Sequence, residues 1–301
     1  VVQGRFEPIV EVDPTGEVPL PAVAPGPPPR LTVALTFDGD AISDAVRRGD
    51  PPVKLSHGEF GIRVGIPRLM DLLEREAIPA TWFMPGHTIE TWPDVTAALV
   101  ARGHEIACHG WYHEDFSAIP AAEQRAILER AIEAVTAASG AAPRGHRAPY
   151  WALGAETLAL VEELGFIYDS SLMADDYRPY RVRHGDQHSP KGPTVFGKEG
   201  SLLEAPVYWA LDDWPFFEPA PGTGRDALSA PSRVLEIWTG ELRYAWEHAP
   251  GGLLNVTMHP ECIGRGHRMA MLERFIAEAK ELDGVVFDRL DGYVERWLTL
   301  R

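Results

Sequence analysis

Leu31-Thr32-Val33-Ala34-Leu35-Thr36-Phe37-Asp38-Gly39-Asp40 is an apolar run that ends on two carboxylates one residue apart. A short, continuously apolar run reads as a strand buried on both faces, the habit of parallel sheets. In extended backbone, residues i and i+2 point the same way. Asp38 and Asp40 would then aim into one space, where two carboxylates repel unless a cation or a proton lies between them. A metal ion resolves the conflict: one carboxylate ligates, and the other is free to act as a base. Gly39 allows a sharp turn and leaves room beside a ligand. The alternative is a turn with two solvent-facing aspartates.

The same rhythm continues on either side. Apolar runs at Ala80–Met84, Glu105–Cys108, Gly145–Arg147, Phe166–Tyr168, Pro206–Ala210, Leu253–Met258 and Val285–Phe287 read as strands. Helical patterns at 66–76, 93–102, 121–138, 156–164, 232–248, 268–282 and 293–300 alternate with them. About seven strand–helix alternations predict βα units around parallel strands, an α/β protein. In a barrel of such units, residues at the C-terminal strand ends share one face. Residues 1–30 read as a proline-rich arm that wraps the body or caps the bottom of the barrel, and 31–301 as the catalytic barrel. Two stretches, 39–65 and 170–205, are long for plain connections and predict loops that form lids or substrate grooves.

The other chemistry-bearing residues also follow strands. His109 and His113 come after Ile106-Ala107-Cys108 at i, i+4 spacing, which on a helical turn puts both rings on one side. Such an imidazole pair suits zinc and similar ions. Glu105 is a candidate to orient a ligating imidazole, or else faces solvent. Arg147 could hold a carboxylate base with both arms of its guanidinium; a surface ion pair is the alternative. His259 ends the run Leu253–Met258 before Pro260, where an imidazole could protonate a leaving amine. A core histidine is the other reading. Tyr150, Trp151 and Trp214 flank the polar motifs and could stack on a sugar or a planar imide. Asp176 sits in the long loop after Tyr168, and the Glu59–Arg63 segment could close over a small substrate.

Composition limits the partners. The chain has 301 residues, a formal net charge of -16 and no lysine or arginine cluster, which excludes nucleic acid as an expected partner. No apolar stretch reaches membrane-spanning length. Cys108 and Cys262 read as packing residues. The opening residues carry prolines and acids rather than a basic and then apolar leader, so the expectation is a cytoplasmic protein. The arm is compatible with a homo-oligomer and equally with wrapping of its own chain.

Taken in order, Thr36-Phe37-Asp38-Gly39-Asp40, His109-x3-His113, Arg147-Ala148-Pro149-Tyr150 and His259 resemble the motifs of the polysaccharide deacetylase family, the NodB-homology or carbohydrate esterase 4-like enzymes. The resemblance spans roughly residues 31–290. That family usually has adjacent aspartates. Asp38-Gly39-Asp40, with the stretches Gly58–Gly65 and Gly103–Ala107, is similar to a subgroup containing peptidoglycan deacetylase, allantoinases and cyclic imidases. The resemblance implies a distorted (β/α)7 barrel. It also implies Asp38 as general base, Asp40, His109 and His113 as metal ligands, Arg147 as the residue orienting the base, and His259 as general acid. The expected cofactor is a divalent metal, zinc first, with cobalt, nickel or manganese as alternatives. The expected reaction is metal-dependent hydrolysis of a non-peptide C–N bond, first in an N-acetylated sugar polymer or oligomer. The alternative substrate is a small cyclic amide, imide or ureide. A noncatalytic carbohydrate-binding barrel is the competing class, and the intact set of Asp38, Asp40, His109, His113 and His259 argues against it.

Overall fold

The computed structural model describes residues 28–219 and 228–299, so the expected arm lies outside the described residues as far as residue 27. The strands are β1 (Leu31–Asp38), β2 (Thr81–Met84), β3 (Glu105–Cys108), β4 (Gly145–His146), β5 (Tyr168–Asp169), β6 (Tyr180–His184), β7 (Lys198–Glu204), β8 (Gly252–Met258) and β9 (Val285–Phe287). They form one nine-stranded sheet in the order β6-β7-β5-β4-β3-β2-β1-β8, with β9 on β1. All pairs are parallel except the antiparallel β6–β7 ladder. The sheet curls into a distorted barrel of the expected α/β kind.

β1 is the axis of this arrangement. One edge pairs with β8 from Leu31↔Gly252 to Phe37↔Met258. The other edge is shared, by β9 along Leu31–Val33 and by β2 along Thr36–Asp38. The two-residue period then sorts its side chains. Leu31, Val33, Leu35 and Phe37 join the helix-facing core with Leu69, Leu73, Leu272 and Phe275. Ala34 faces inward with Phe83, Ala107, Tyr168 and Leu253. Thr36 and Asp38 continue that inward face, so the interior changes from apolar to polar toward the C-terminal strand ends.

Two expectations need correction. Residues 39–65 form helices at Ser43–Arg48 and Pro52–Phe60, and a π turn at Gly61–Gly65 runs into the helix Ile66–Glu76. The glycines that hid this helix in the sequence are there for close approach. A β-carbon on Gly58 would lie 2.1 Å from the Ala41 carbonyl oxygen, and one on Gly65 2.2 Å from that of Pro260. The strand expected at Pro206–Ala210 is instead β7, upstream, within the stretch read as a loop; its outer half is polar and mostly exposed. The bottom of the barrel is plugged by the helix Leu290–Thr299, with Leu290, Tyr293 and Val294 in the inner core.

Between β8 and the chain that follows β7, a side chain takes the place of a ladder. Asn255 Nδ2 donates to Ser170 Oγ (3.0 Å) and to the Pro206 carbonyl (3.1 Å), and its Oδ1 accepts from Thr36 Oγ1 (3.2 Å). Farther along, the Asp213 N–H donates to the Thr257 carbonyl at 3.1 Å. Among the described residues no helix is long and apolar enough to cross a membrane.

Candidate active site

The C-terminal strand ends bring the predicted residues together. Asp38 closes β1, His109 follows β3, Arg147 follows β4, and His259 follows β8. All are buried, together with Asp40 and His113. They meet at a cavity of about 530 Å³ lined by Asp38, Asp40, His113 and His259, with Tyr150, Trp151, Trp209 and Trp214 in its walls.

Asp40, His109 and His113 each offer one ligand atom within 4.8 Å of the others. Asp40 Oδ1 lies 3.4 Å from His109 Nε2, and Asp40 Oδ2 3.3 Å from His113 Nε2. His109 Nδ1 donates to the Arg147 carbonyl at 2.7 Å. A carbonyl can only accept, so this bond places the proton on Nδ1 and turns the Nε2 lone pair toward Asp40. Neither Asp40 Oδ1 nor His109 Nε2 has a hydrogen-bond partner among the described residues. Burial pushes the His109 imidazole down to about 4 against the pull of Asp38, and it holds His113 well below its usual value. Two neutral imidazoles and an aspartate carboxyl, which burial pushes well above its usual value, converge with His109 Nε2 and Asp40 Oδ1 left unpartnered; such a donor set fits a divalent ion in place of a proton.

The histidines converge by an irregular turn rather than a helical one. Gly110 has φ +69° and His113 φ +61°, and the rings stand 5.0 Å apart. A non-glycine residue in the left-handed region is strained, and such strain gathers at functional sites. Tyr150 and Trp151, at φ +58° and +54°, share this conformation in the cavity wall.

Asp38 is set apart from the triad by Arg147, whose Nη1 donates to Asp38 Oδ1 at 2.6 Å. The expected two-armed grip is absent. Nη2 donates to Thr36 Oγ1 and Ser170 Oγ, Nε donates to the Ser170 carbonyl, and the guanidinium lies 4.0 Å above the Phe83 ring. Burial works against the Asp38 charge, but Arg147, His109 and His259 outweigh it and hold the carboxyl below its usual value. Asp38 Oδ2, 3.7 Å from His109 Nε2 and 3.9 Å from His259 Nε2, is the oxygen not engaged by Arg147.

His259 is the opposite case. Burial would strip its proton, yet its Nδ1 bond to Asp213 (2.8 Å) and the nearby Asp212 raise it well above its usual value. Asp212 also accepts the Trp214 N–H at 2.7 Å, and the Trp214 ring stands 5.0 Å from the imidazole. A charged imidazole beside an ionised carboxylate makes an acid and base pair on one rim, and the geometry can move a proton in each direction.

The predicted substrate contacts divide. Tyr150, Trp151 and Trp214 line the cavity. Glu59 and Arg63 do not; they are exposed and pair with each other at 3.9 Å. Asp176 lines a separate cleft beside Tyr177, Glu241 and Tyr244. Glu105 lies at the far end of β3, where it accepts from Thr81 Oγ1 and the Tyr168 hydroxyl, so it neither orients an imidazole nor faces solvent. Sequence reading missed Asp213 as the partner of His259, Ser170 as a support for Arg147, and Glu261 and His57 in the cavity wall.

The polysaccharide deacetylase family model matches residues 26–168. A peptidoglycan deacetylase of Helicobacter pylori is 33% identical, over 89% of this chain and 93% of its own. A Mycobacterium smegmatis structure assigned as a polysaccharide deacetylase superposes with a TM-score of 0.79 at 35% identity, covering 94% of this chain and 95% of its own. The PuuE allantoinase superposes with a TM-score of 0.76 at 25% identity, covering 95% and 96%. The Asp/His cluster is a metal-binding catalytic site suited to metal-dependent hydrolysis of a C–N bond, such as a deacetylation. By sequence, fold and site, the chain belongs to the polysaccharide deacetylase family.

Proposed function

We propose that the protein removes an acetyl group from an N-acetylated sugar, with Asp38 as general base, His259 as general acid, and Asp40, His109 and His113 holding a zinc ion. The observation that carries the reading is the division of labour around the cavity. Asp38 is kept ionised by Arg147, His259 is kept protonated by Asp213, and both flank a two-histidine, one-carboxylate ligand set. When bound, a divalent ion supplies Lewis acidity and lowers the pKa of water. Asp38 Oδ2 takes a proton from the attacking water. His259 Nε2 gives a proton to the leaving nitrogen, so water and amide become acetate and a free amine. Trp151 and Trp209, with ring centroids 4.2 Å apart, offer an aromatic wall of the kind sugar rings pack against. The Helicobacter pylori relative, named a peptidoglycan deacetylase, supports the same class.

A second reading, ring opening of a small cyclic amide, imide or ureide, is favoured by one observation. Residues from the helices Ser43–Arg48 and Pro52–Phe60 wall the cavity, and its volume falls in the range of small-molecule pockets. The likeness to the PuuE allantoinase supports that class. The deciding experiment offers zinc-loaded protein chitooligosaccharides and cyclic imides and ureides side by side. Acetate release with a new free amine supports deacetylation. Ring opening without acetate supports the second reading, and no turnover of either overturns both.

A further inference from the structure

Glu261 is a buried acid of the cavity that the reaction above leaves without a task. It follows His259 by two residues, lines the cavity and is 3% exposed. Its Oε2 has no hydrogen-bond partner among the described residues. His57, in the same wall, is paired with Glu218 at 3.6 Å. The fold also makes room for this carboxyl. The π turn Gly61–Gly65 lies directly on Pro260 and Glu261, and a β-carbon on Gly61 would stand 2.9 Å from Oε2. Insertions of this kind into a helix are frequent at functional sites. A buried carboxyl oxygen without a partner weakens a fold, and a ligand or a chemical task that completes it is one reason a native structure keeps it.

We propose that Glu261 is a substrate-contacting residue, whose carboxyl donates a hydrogen bond to a carbonyl or hydroxyl oxygen of the bound substrate and so sets which C–N bond meets Asp38 and His259. The inference rests on the reading above only in taking this cavity as the substrate site. Burial pushes the carboxyl up to about 7, so a large share of it carries the O–H that an ionised acid lacks.

The test compares wild type, Glu261→Gln and Glu261→Met, all zinc-loaded, on chitooligosaccharides and on hydantoin. Glutamine keeps a donor of similar size; methionine keeps the volume without one. For whichever substrate is turned over, Glu261→Met raises KM about tenfold, the loss of one buried hydrogen bond. Its kcat stays within a few-fold of wild type, and Glu261→Gln restores KM to within about threefold. The melting temperature of Glu261→Met without substrate is no lower than that of wild type, because the acid serves the ligand and not the fold. An unchanged KM overturns the proposal, and so does a melting temperature several degrees lower. If wild type turns over neither substrate, the proposed reaction fails, and the melting temperatures still decide the role of Glu261.

Discussion

Asp213 grips His259 at two points. Its carboxylate accepts the backbone N–H of His259 at 3.2 Å and the ring Nδ1–H at 2.8 Å. The double contact fixes both the ring and its tautomer. Nε2 is thereby left to face Asp38 Oδ2 and Asp40 Oδ2, each 3.9 Å away. A histidine this deeply buried keeps its proton because two aspartates stand behind it.

Asp213→Asn removes that charge while keeping the shape. The His259 value falls, and the alkaline limb of the kcat/KM profile moves about 1 to 2 pH units toward acid. Stability follows the same sign. A histidine raised in the folded state contributes stability that is fully present below its unfolded value, about 6.5, and lost as pH rises through the folded value. Urea melts should therefore show wild type ahead of Asp213→Asn at pH 6, with the gap closing at high pH. Equal gaps at both ends would mean that the pair carries no proton linkage.

Arg147 is fully buried and spends its donors on Asp38, Thr36 and Ser170. Arg147→Met leaves the Asp38 charge unpaired in the interior and should lower stability by about 3 to 5 kcal/mol. Arg147→Lys restores a charge but not the planar fork, so it should keep more stability and still lose about 100-fold in kcat. Urea unfolding and turnover on the same preparations separate the two effects. Full activity in the lysine variant would show that the orientation of Asp38 does not matter.

The ligand set predicts a metal stoichiometry. His109→Ala should lose the bound divalent metal and activity while its far-UV circular dichroism is preserved, because the ring contributes a ligand at the strand ends rather than volume in the apolar core. In wild type, zinc at a hundredfold over its Kd should stabilise the fold by about 2.7 kcal/mol, and a chelator should remove that gain. A variant that still holds one zinc per chain would place the ion elsewhere.

What was legible in the sequence is what is local. The run Leu31–Phe37 announces a buried parallel strand, and the strand ends carry Asp38, His109, Arg147 and His259 to one rim because parallel strands share a direction. The segment 58–65 misled because reading it as a loop hid its faces. Glu59 and Arg63 lie at i, i+4 on the outer side of a helix, and the glycines at 58, 61 and 65 form the side that touches the site. Asp213 was out of reach for another reason. It meets His259 across 46 residues, and no pattern within either segment encodes that encounter. The fork of Arg147 was misjudged likewise, since Thr36 comes to it from β1 and Ser170 from the residue after β5.

Asn255 offers a test of how the open side of the barrel reaches the chemistry. Its side chain is buried in β8, holds the carbonyl of Pro206, and bonds Ser170 Oγ and Thr36 Oγ1, the two hydroxyls that also receive Arg147 Nη2. Asn255→Ala leaves these groups short of partners and should lower stability by about 1 to 3 kcal/mol. Because the two hydroxyls are also supports of Arg147, kcat should fall about tenfold even where the protein is fully folded. Asn255→Asp should do worse, since a carboxylate there can only accept and would face the Pro206 carbonyl. Calorimetric melting and turnover at a temperature well below the transition provide the two readings. A lowered melting temperature with undiminished kcat would make Asn255 a seam of the barrel and nothing more; a fall in both ties the seam, through Thr36, Ser170 and Arg147, to the carboxylate of Asp38.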